Sequence, residues 1–217
     1  MKKGVILLSG GLDSVTTLYL AKKKGYKLTA LIFDYKQRHR KEIQCAKKIA
    51  QLNKIDYYVE KIDLSWTKSS LTDKKKAVPL NRNLTKEEIP STYVAGRNII
   101  FLSYAFSLAE SIGASSVFIG AHVQDYSGYP DCRPEFLMSY QSAVNLGMEK
   151  SNIKIVAPLI DAGKKDIIKK GIKLGVPFQH TWSCYKGGKM PCCKCDSCRF
   201  RINAFRELGM EDPLLKF

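Results

Sequence analysis

Five apolar residues, Gly4, Val5, Ile6, Leu7 and Leu8, run directly into Ser9-Gly10-Gly11-Leu12-Asp13-Ser14 and then into a stretch with helical spacing. A short, wholly apolar run reads as a strand buried on both faces, as in a parallel sheet. A strand that turns through two glycines into a helix aims the free N–H groups and the positive dipole end of that helix at one place, which suits a bound phosphate. The glycines let the backbone approach an anion and take conformations closed to other residues. Ser9 and Ser14 add hydroxyl donors. Asp13 is the odd member, because a carboxylate repels phosphates unless a cation such as Mg²⁺ stands between them or the carboxylate serves the helix dipole. A capped turn is the plainer account of the glycines, but it leaves the rest of the hexapeptide unexplained. The chain has no Gly-x-x-x-x-Gly-Lys-Ser/Thr motif, and no Gly-x-Gly-x-x-Gly follows a strand. An ordinary P-loop and a dinucleotide fingerprint are thereby excluded.

Beyond the loop, apolar runs at 28–33, 56–62, 116–120 and 153–157 read as further strands. Helical spacing marks 13–24, 42–52, 98–112, 134–146, 164–174 and 196–208. Strands alternating with helices imply a parallel sheet covered on both faces. At 217 residues the chain is long enough for one domain with a full core. Residues 65–93 break the pattern with polar, Lys-rich sequence and two prolines, a length of loop that is usually functional or mobile. A flap and a plain surface loop fit it equally. No apolar run approaches the roughly 20 residues of a membrane span, and no signal-peptide pattern opens the chain, so a cytoplasmic protein is expected. The net charge of +16 attracts any polyanion, ATP and nucleic acid alike, and does not choose between them.

Seven cysteines in such a protein point to metal or thiol chemistry rather than disulfides. Cys184, Cys192, Cys195 and Cys198 have the spacing C-x7-C-x2-C-x2-C, which offers four thiolates to one tetrahedral Zn²⁺ and leaves no open position for water. That predicts one structural zinc per chain, within an element at 181–200. Cys193 in place of Cys192 gives an alternative set, less favoured because C-x2-C is the commoner spacing; the same thiolates would also suit an iron–sulfur cluster. Cys45 lies on a helical stretch and reads as a buried apolar residue, and Trp182 reads as packing beside the metal element.

Residues 125–136 follow the fourth strand, where the loops of an open α/β sheet meet ligands. Two prolines stiffen this segment. Arg133 suits a planar anion, Asp131 or Glu135 an N–H edge of a purine-like ring, and Tyr126 and Tyr129 the ring face. A capped turn before a helix accounts for the prolines alone.

Ser-Gly-Gly-x-Asp-Ser after the first strand resembles the PP-loop of the ATP pyrophosphatase superfamily. The segment Tyr129-Pro-Asp-Cys-Arg-Pro-Glu-Phe136 and the four-cysteine tail extend the likeness. So do Phe33-Asp-Tyr35 with Gln37-Arg-His39, Tyr93-Val94 with Arg97-Asn98, and Thr181-Trp-Ser-Cys-Tyr185. Together, and in this order over nearly the whole chain, they are similar to the 7-cyano-7-deazaguanine (preQ0) synthase family. Three positions depart from the family pattern: Lys36 and Cys193 stand where Gly is typical, and Ala95 where Pro is. The departure at Cys193 supports Cys192 as the ligand, and Lys36 is placed near the nucleotide.

The resemblance implies a Rossmann-like PP-loop fold of the adenine nucleotide alpha hydrolase-like kind, a single α/β domain over 1–217 with the zinc element embedded at 181–200. It implies a ligase that joins 7-carboxy-7-deazaguanine and ammonia into the nitrile, using ATP with Mg²⁺ through adenylated carboxylate and amide intermediates, in queuosine biosynthesis. Ser9, Gly10, Gly11, Leu12, Asp13 and Ser14 would bind the pyrophosphate, with Leu8 before them and Val15, Thr16, Thr17 and Leu18 after them completing the ATP-binding stretch. Asp13 and Ser14 would be catalytic, and Arg97, Tyr129, Asp131, Arg133 and Glu135 would bind substrate. His39 and His122 are candidates for a general base, against a structural role for each. A homodimer is a family expectation, a membrane is not, and nucleic acid is not required. The alternatives are a PP-loop tRNA-thiolating enzyme, with Cys132 or Cys193 carrying sulfur, and a zinc-knuckle nucleic-acid-binding module.

Overall fold

A computed structural model of the chain describes residues 1–83, 89–122, 129–149 and 152–215. Five strands, β1 (Lys3–Leu7), β2 (Lys27–Asp34), β3 (Asp56–Lys61), β4 (Ser116–Phe118) and β5 (Lys154–Val156), form one sheet in the order β3-β2-β1-β4-β5. All four pairings are parallel. Each expected strand and helix is present, with ends shifted by a residue or two.

The apolar runs form strands because both faces are covered. In β1, Ile6 packs with the core on one side of the sheet and Val5 and Leu7 with the core on the other, the two-residue period of a strand. In β2, Leu28, Ala30 and Ile32 take the first side and Leu31 and Phe33 the second. Helices α1 (Leu12–Lys23), α2 (Lys41–Leu52), α5 (Lys164–Lys173) and α6 (Asp196–Arg206) cover the first side through Val15, Leu18, Ile49, Ile167 and Phe205. Helices α3 (Arg97–Ser111) and α4 (Pro134–Leu146) cover the second through Leu102, Phe106 and Leu137. The strand order reverses between β1 and β4, so the loops leaving these two neighbours run to opposite faces and open a crevice at their carboxyl ends, the place where such sheets bind ligands.

The segment after β3 is held down by specific bonds. Arg38 donates to the carbonyl oxygens of Ser70 and Asp73 at 3.1 and 3.0 Å and also to that of Lys76. The amide of Ser70 donates to Ser91 O at 2.8 Å. Val78 is buried against Trp182 and Cys184, and Arg82 pairs with Asp196 at 3.0 Å. Along its described part this stretch is packed against the protein, not a detached flap.

Candidate active site at the phosphate loop

The loop between β1 and α1 is shaped by its own side chains and by α2. Gly10 has φ 79°, and a Cβ built there would lie 2.3 Å from Glu42 O and 2.6 Å from Ala46 N. Only glycine allows this approach of loop to helix. The Ser14 hydroxyl donates to Gly11 O at 3.1 Å and lies 3.0 Å from the Ser9 hydroxyl, which accepts from the amide of Gly11 at 3.2 Å. Both hydroxyls therefore hold the loop in shape. The orphan N–H groups of the first turn of α1 remain the anion-facing donors. Val15 and Leu18 are fully buried in the core and Leu12 nearly so, while Thr16 donates to Leu12 O at 2.8 Å. Thr17 is likewise fully buried. The stretch after Ser14 thus seats the helix rather than facing the crevice.

Asp13 meets a counter-charge that no local pattern announced. Lys164, in the first turn of α5, donates to Asp13 Oδ1 at 2.7 Å and lies 2.9 Å from His122 Nε2, which is 3.6 Å from Asp13 Oδ2. Burial alone would raise the Asp13 carboxyl, but Lys164 and His122 more than offset it and hold it well below the usual carboxylate range. Lys164 thus supplies this acid with a counter-charge from the protein itself. The segment leaving β4 closes the other wall: a Cβ on Gly120 would lie 3.0 Å from the amide nitrogen of Ser14.

The loop opens into a cleft with room for about 230 Å³ of solvent. Ser9, Gly11, Asp13 and Ser14 line one end, and Tyr35, Glu42, Arg97, Tyr129 and Tyr185 line the rest. Arg97 stands 5.9 Å from the ring centre of Tyr35. Burial works against the Arg97 charge, but Tyr35, Tyr129 and Asp131 outweigh it, so the guanidinium stays charged. Burial also pushes the Tyr35 hydroxyl up. The Glu42 carboxyl is pushed up to about 7 by burial, with Arg97 opposing and Cys184 adding to the rise.

Of the expected substrate residues, Arg97 and Tyr129 line this cleft. Asp131 is buried with its Oδ2 accepting from the amide of Asn98 at 2.9 Å, which caps α3 from a distant part of the chain. Arg133 and Glu135 are exposed at the start of α4 and stand outside the cleft lining. Tyr126 lies outside the described residues. His39 packs 6.4 Å from the Trp182 ring and is not part of the cleft, whereas His122 belongs to the Asp13 cluster. Lys36 pairs with Asp63 at 2.6 Å on the surface, and its φ of 59° explains why glycine suits that position. Residues missed by sequence reasoning are Lys164 and Glu42. Each looks like an ordinary first-turn helix residue, and only the fold brings it to the loop.

The sulfurs of Cys184, Cys192, Cys195 and Cys198 all lie within 4.8 Å of one another, close enough to share one tetrahedral metal ion. Hydrogen bonds within the group hold the Cys184 thiol low and push those of Cys195 and Cys198 up, so that the sulfurs share protons where a metal ion would take their place. Cys193 is exposed, with φ 57°, and is not in the group. The cluster touches the phosphate loop through Trp182, whose amide donates to Gly10 O at 3.0 Å and whose indole N–H donates to Cys184 O at 2.9 Å. Lys41 sits 4.2 Å over the same ring. Arg201 ties this segment to the C-terminal turn, donating to both Asp212 oxygens at 2.6 and 2.8 Å and to Thr181 Oγ1 at 2.7 Å.

The family model described as "Queuosine biosynthesis protein QueC" matches residues 3–209. A 7-cyano-7-deazaguanine synthase of Trichodesmium erythraeum is 50% identical over 98% of this chain and 100% of that protein. One of Thermoplasma acidophilum is 49% identical over 98% of this chain and 91% of that one. Among solved structures, an NMN synthetase from Francisella tularensis superposes with TM-score 0.53 at 18% identity, covering 96% of this chain and 77% of the other. A predicted subunit of a tRNA methyltransferase from Methanocaldococcus jannaschii gives TM-score 0.53 at 14% identity, over 98% and 90%. The last two share the fold alone.

Proposed function

The chain belongs to the QueC family of queuosine biosynthesis proteins, and from that premise we propose how its cleft converts 7-carboxy-7-deazaguanine into 7-cyano-7-deazaguanine with ATP. It is a ligase of the PP-loop fold. The thiolating and zinc-knuckle alternatives fall with the family match. The observation that carries the reading is an intact phosphate loop opening into a cleft whose far side holds Arg97 and Tyr129.

The chemistry removes oxygen in water, which requires that oxygen to become a leaving group. The first turn of α1 and the charge of Lys164 hold the two outer phosphates of ATP. Asp13 keeps Lys164 at that spot, Ser9 and Ser14 hold the loop closed, and Mg²⁺ enters with the nucleotide. Arg97 draws in the substrate carboxylate and Tyr129 meets the ring. One carboxylate oxygen attacks the α-phosphate, pyrophosphate leaves, and ammonia displaces AMP to give the amide. The amide oxygen is adenylated in turn and expelled as AMP, leaving the nitrile. Positioning and charge neutralisation supply most of the acceleration.

The four cysteines fit Zn²⁺ with no position left for water, so the ion's part is structural: it braces the segment whose Trp182 amide holds Gly10. We place the protein in the cytoplasm, where free thiols persist. Among the described residues no helix is long and apolar enough to cross a membrane. A homodimer through α3 and α4 is supported by exposed Ile99, Tyr104 and Met138 on two neighbouring helices that contain no Lys, in a chain of net charge +16.

The test is direct. Purified protein with ATP, Mg²⁺, ammonium and 7-carboxy-7-deazaguanine is expected to release AMP and pyrophosphate and to yield the nitrile by mass. ADP as the nucleotide product, or no nitrile, overturns the reading.

A further inference from the structure

Glu42 is the charged group of the cleft lining for which the scheme above has no use. It sits in the first turn of α2, and its main-chain carbonyl packs against Gly10. Its side chain lines the cleft beside the phosphate loop. Among the described residues, its carboxylate makes no hydrogen bond or ion pair, although Arg97 on α3 and Tyr35 after β2 line the same cleft. An acid in a helix's first turn complements the dipole wherever it points. The dipole therefore explains why an acid is tolerated here, but not why it is turned into a cleft that burial makes costly for a charge.

The location decides what such a group serves. The carbon that becomes activated must lie next to the α-phosphate, and hence near the loop that Glu42 touches. The N–H edge of the deazaguanine ring points to the opposite end of the substrate from its carboxyl group. A carboxylate at the loop end faces the incoming nucleophile rather than the ring edge. In neutral water that nucleophile arrives mainly as ammonium, a cation with no lone pair.

We propose that Glu42 is a catalytic residue that docks ammonium beside the adenylated carbon and takes its proton. The inference rests on the adenylation reading above. Glu42 accepts one proton from ammonium, freeing the lone pair of ammonia. That pair forms the C–N bond, and the C–O bond to AMP breaks with its electrons leaving on AMP. A second N–H proton passes to solvent, and Glu42 returns its own proton through the open cleft.

Glu42→Gln keeps the shape and removes the charge. Three rates test it: substrate-dependent exchange of pyrophosphate into ATP, nitrile formation against ammonium, and hydroxamate formation from hydroxylamine, which is largely neutral at neutral pH. Exchange and hydroxamate formation are expected within about twofold of the parent, while the KM for ammonium rises about ten- to a hundredfold. Glu42→Asp, which keeps the charge on a shorter stem, is expected to fall between them. An unchanged ammonium KM overturns the proposal. So does joint loss of exchange and hydroxamate, because Glu42 then serves nucleotide or ring. Absence of exchange in the parent protein would instead bring down the adenylation reading, and this proposal with it.

Discussion

Two glycines with the same backbone conformation separate strain from contact. Gly10 and Gly25 both have φ 79°, but a Cβ at Gly25 meets nothing within 4 Å, whereas at Gly10 it lies 2.3 Å from Glu42 O. Alanine at either position carries the left-handed penalty of ~1–2 kcal/mol, which in a protein this long lowers Tm by about 2–8 °C. At Gly10 the loop and α2 must also part by about 1 Å, and a displacement of that size at the reacting groups costs about a hundredfold in rate. α2 cannot yield easily, because Ile43, Ala46, Ile49 and Ala50 anchor it in the core. Gly25→Ala is therefore expected to melt a few degrees lower with unchanged kcat/KM. Gly10→Ala is expected to melt lower still and to lose about two orders of magnitude in pyrophosphate release. Equal melting and equal activity for the two variants would refute the claim that contact with α2 sets the phosphate loop.

Lys164→Met removes the counter-charge of Asp13 and is expected to lower kcat/KM by about 10²–10³, read as AMP formation. Asp13 is depressed below its ordinary 3.8, so its pairing contributes stability above that pH and loses it as pH falls through the folded value. The variant lacks that contribution, and its acid unfolding midpoint, followed by circular dichroism, is expected at higher pH. Cys192→Ser is expected to lose the metal, counted per chain by elemental analysis, and to bind ATP more weakly because Trp182 no longer braces Gly10. Cys193→Ser is expected to keep both, and metal loss there would reverse the choice of ligand. Tyr104→Lys with Met138→Lys sets like charges on the α3–α4 face and is expected to shift sedimentation toward monomer, with no shift if the dimer lies elsewhere.

The fold was legible because its signals are local. A strand buried on both faces is apolar throughout, as β1 and β2 are, and a phosphate-binding bend needs its glycines in sequence, as Gly10 and Gly11 are. The metal set was legible for the same reason: three of its four thiols lie within seven residues, and Cys193 is turned outward on a left-handed backbone. Composition could not place Arg133 and Glu135 relative to the cleft, because it marks polar residues without saying which way a helix faces. Both open α4 on the solvent side, while Asp131 beside them is used to cap α3.

What local pattern cannot carry is convergence. Lys164 reaches Asp13 from 151 positions along the chain, and it does so because α5 packs beside α1 on the same face of the sheet. His122 reaches the same acid because β4 lies next to β1, so that the loop after one strand closes over the loop after the other. In a sequence Lys164 is one of 36 cations and Glu42 one of 20 acids. The order β3-β2-β1-β4-β5 is what separates them from the rest, by bringing the first turns of α1, α2, α3 and α5 to one crevice. Four helix starts at one place concentrate positive dipole ends there, which explains in one step why a triphosphate is drawn in and why acids such as Asp13 and Glu42 can be held among its ligands.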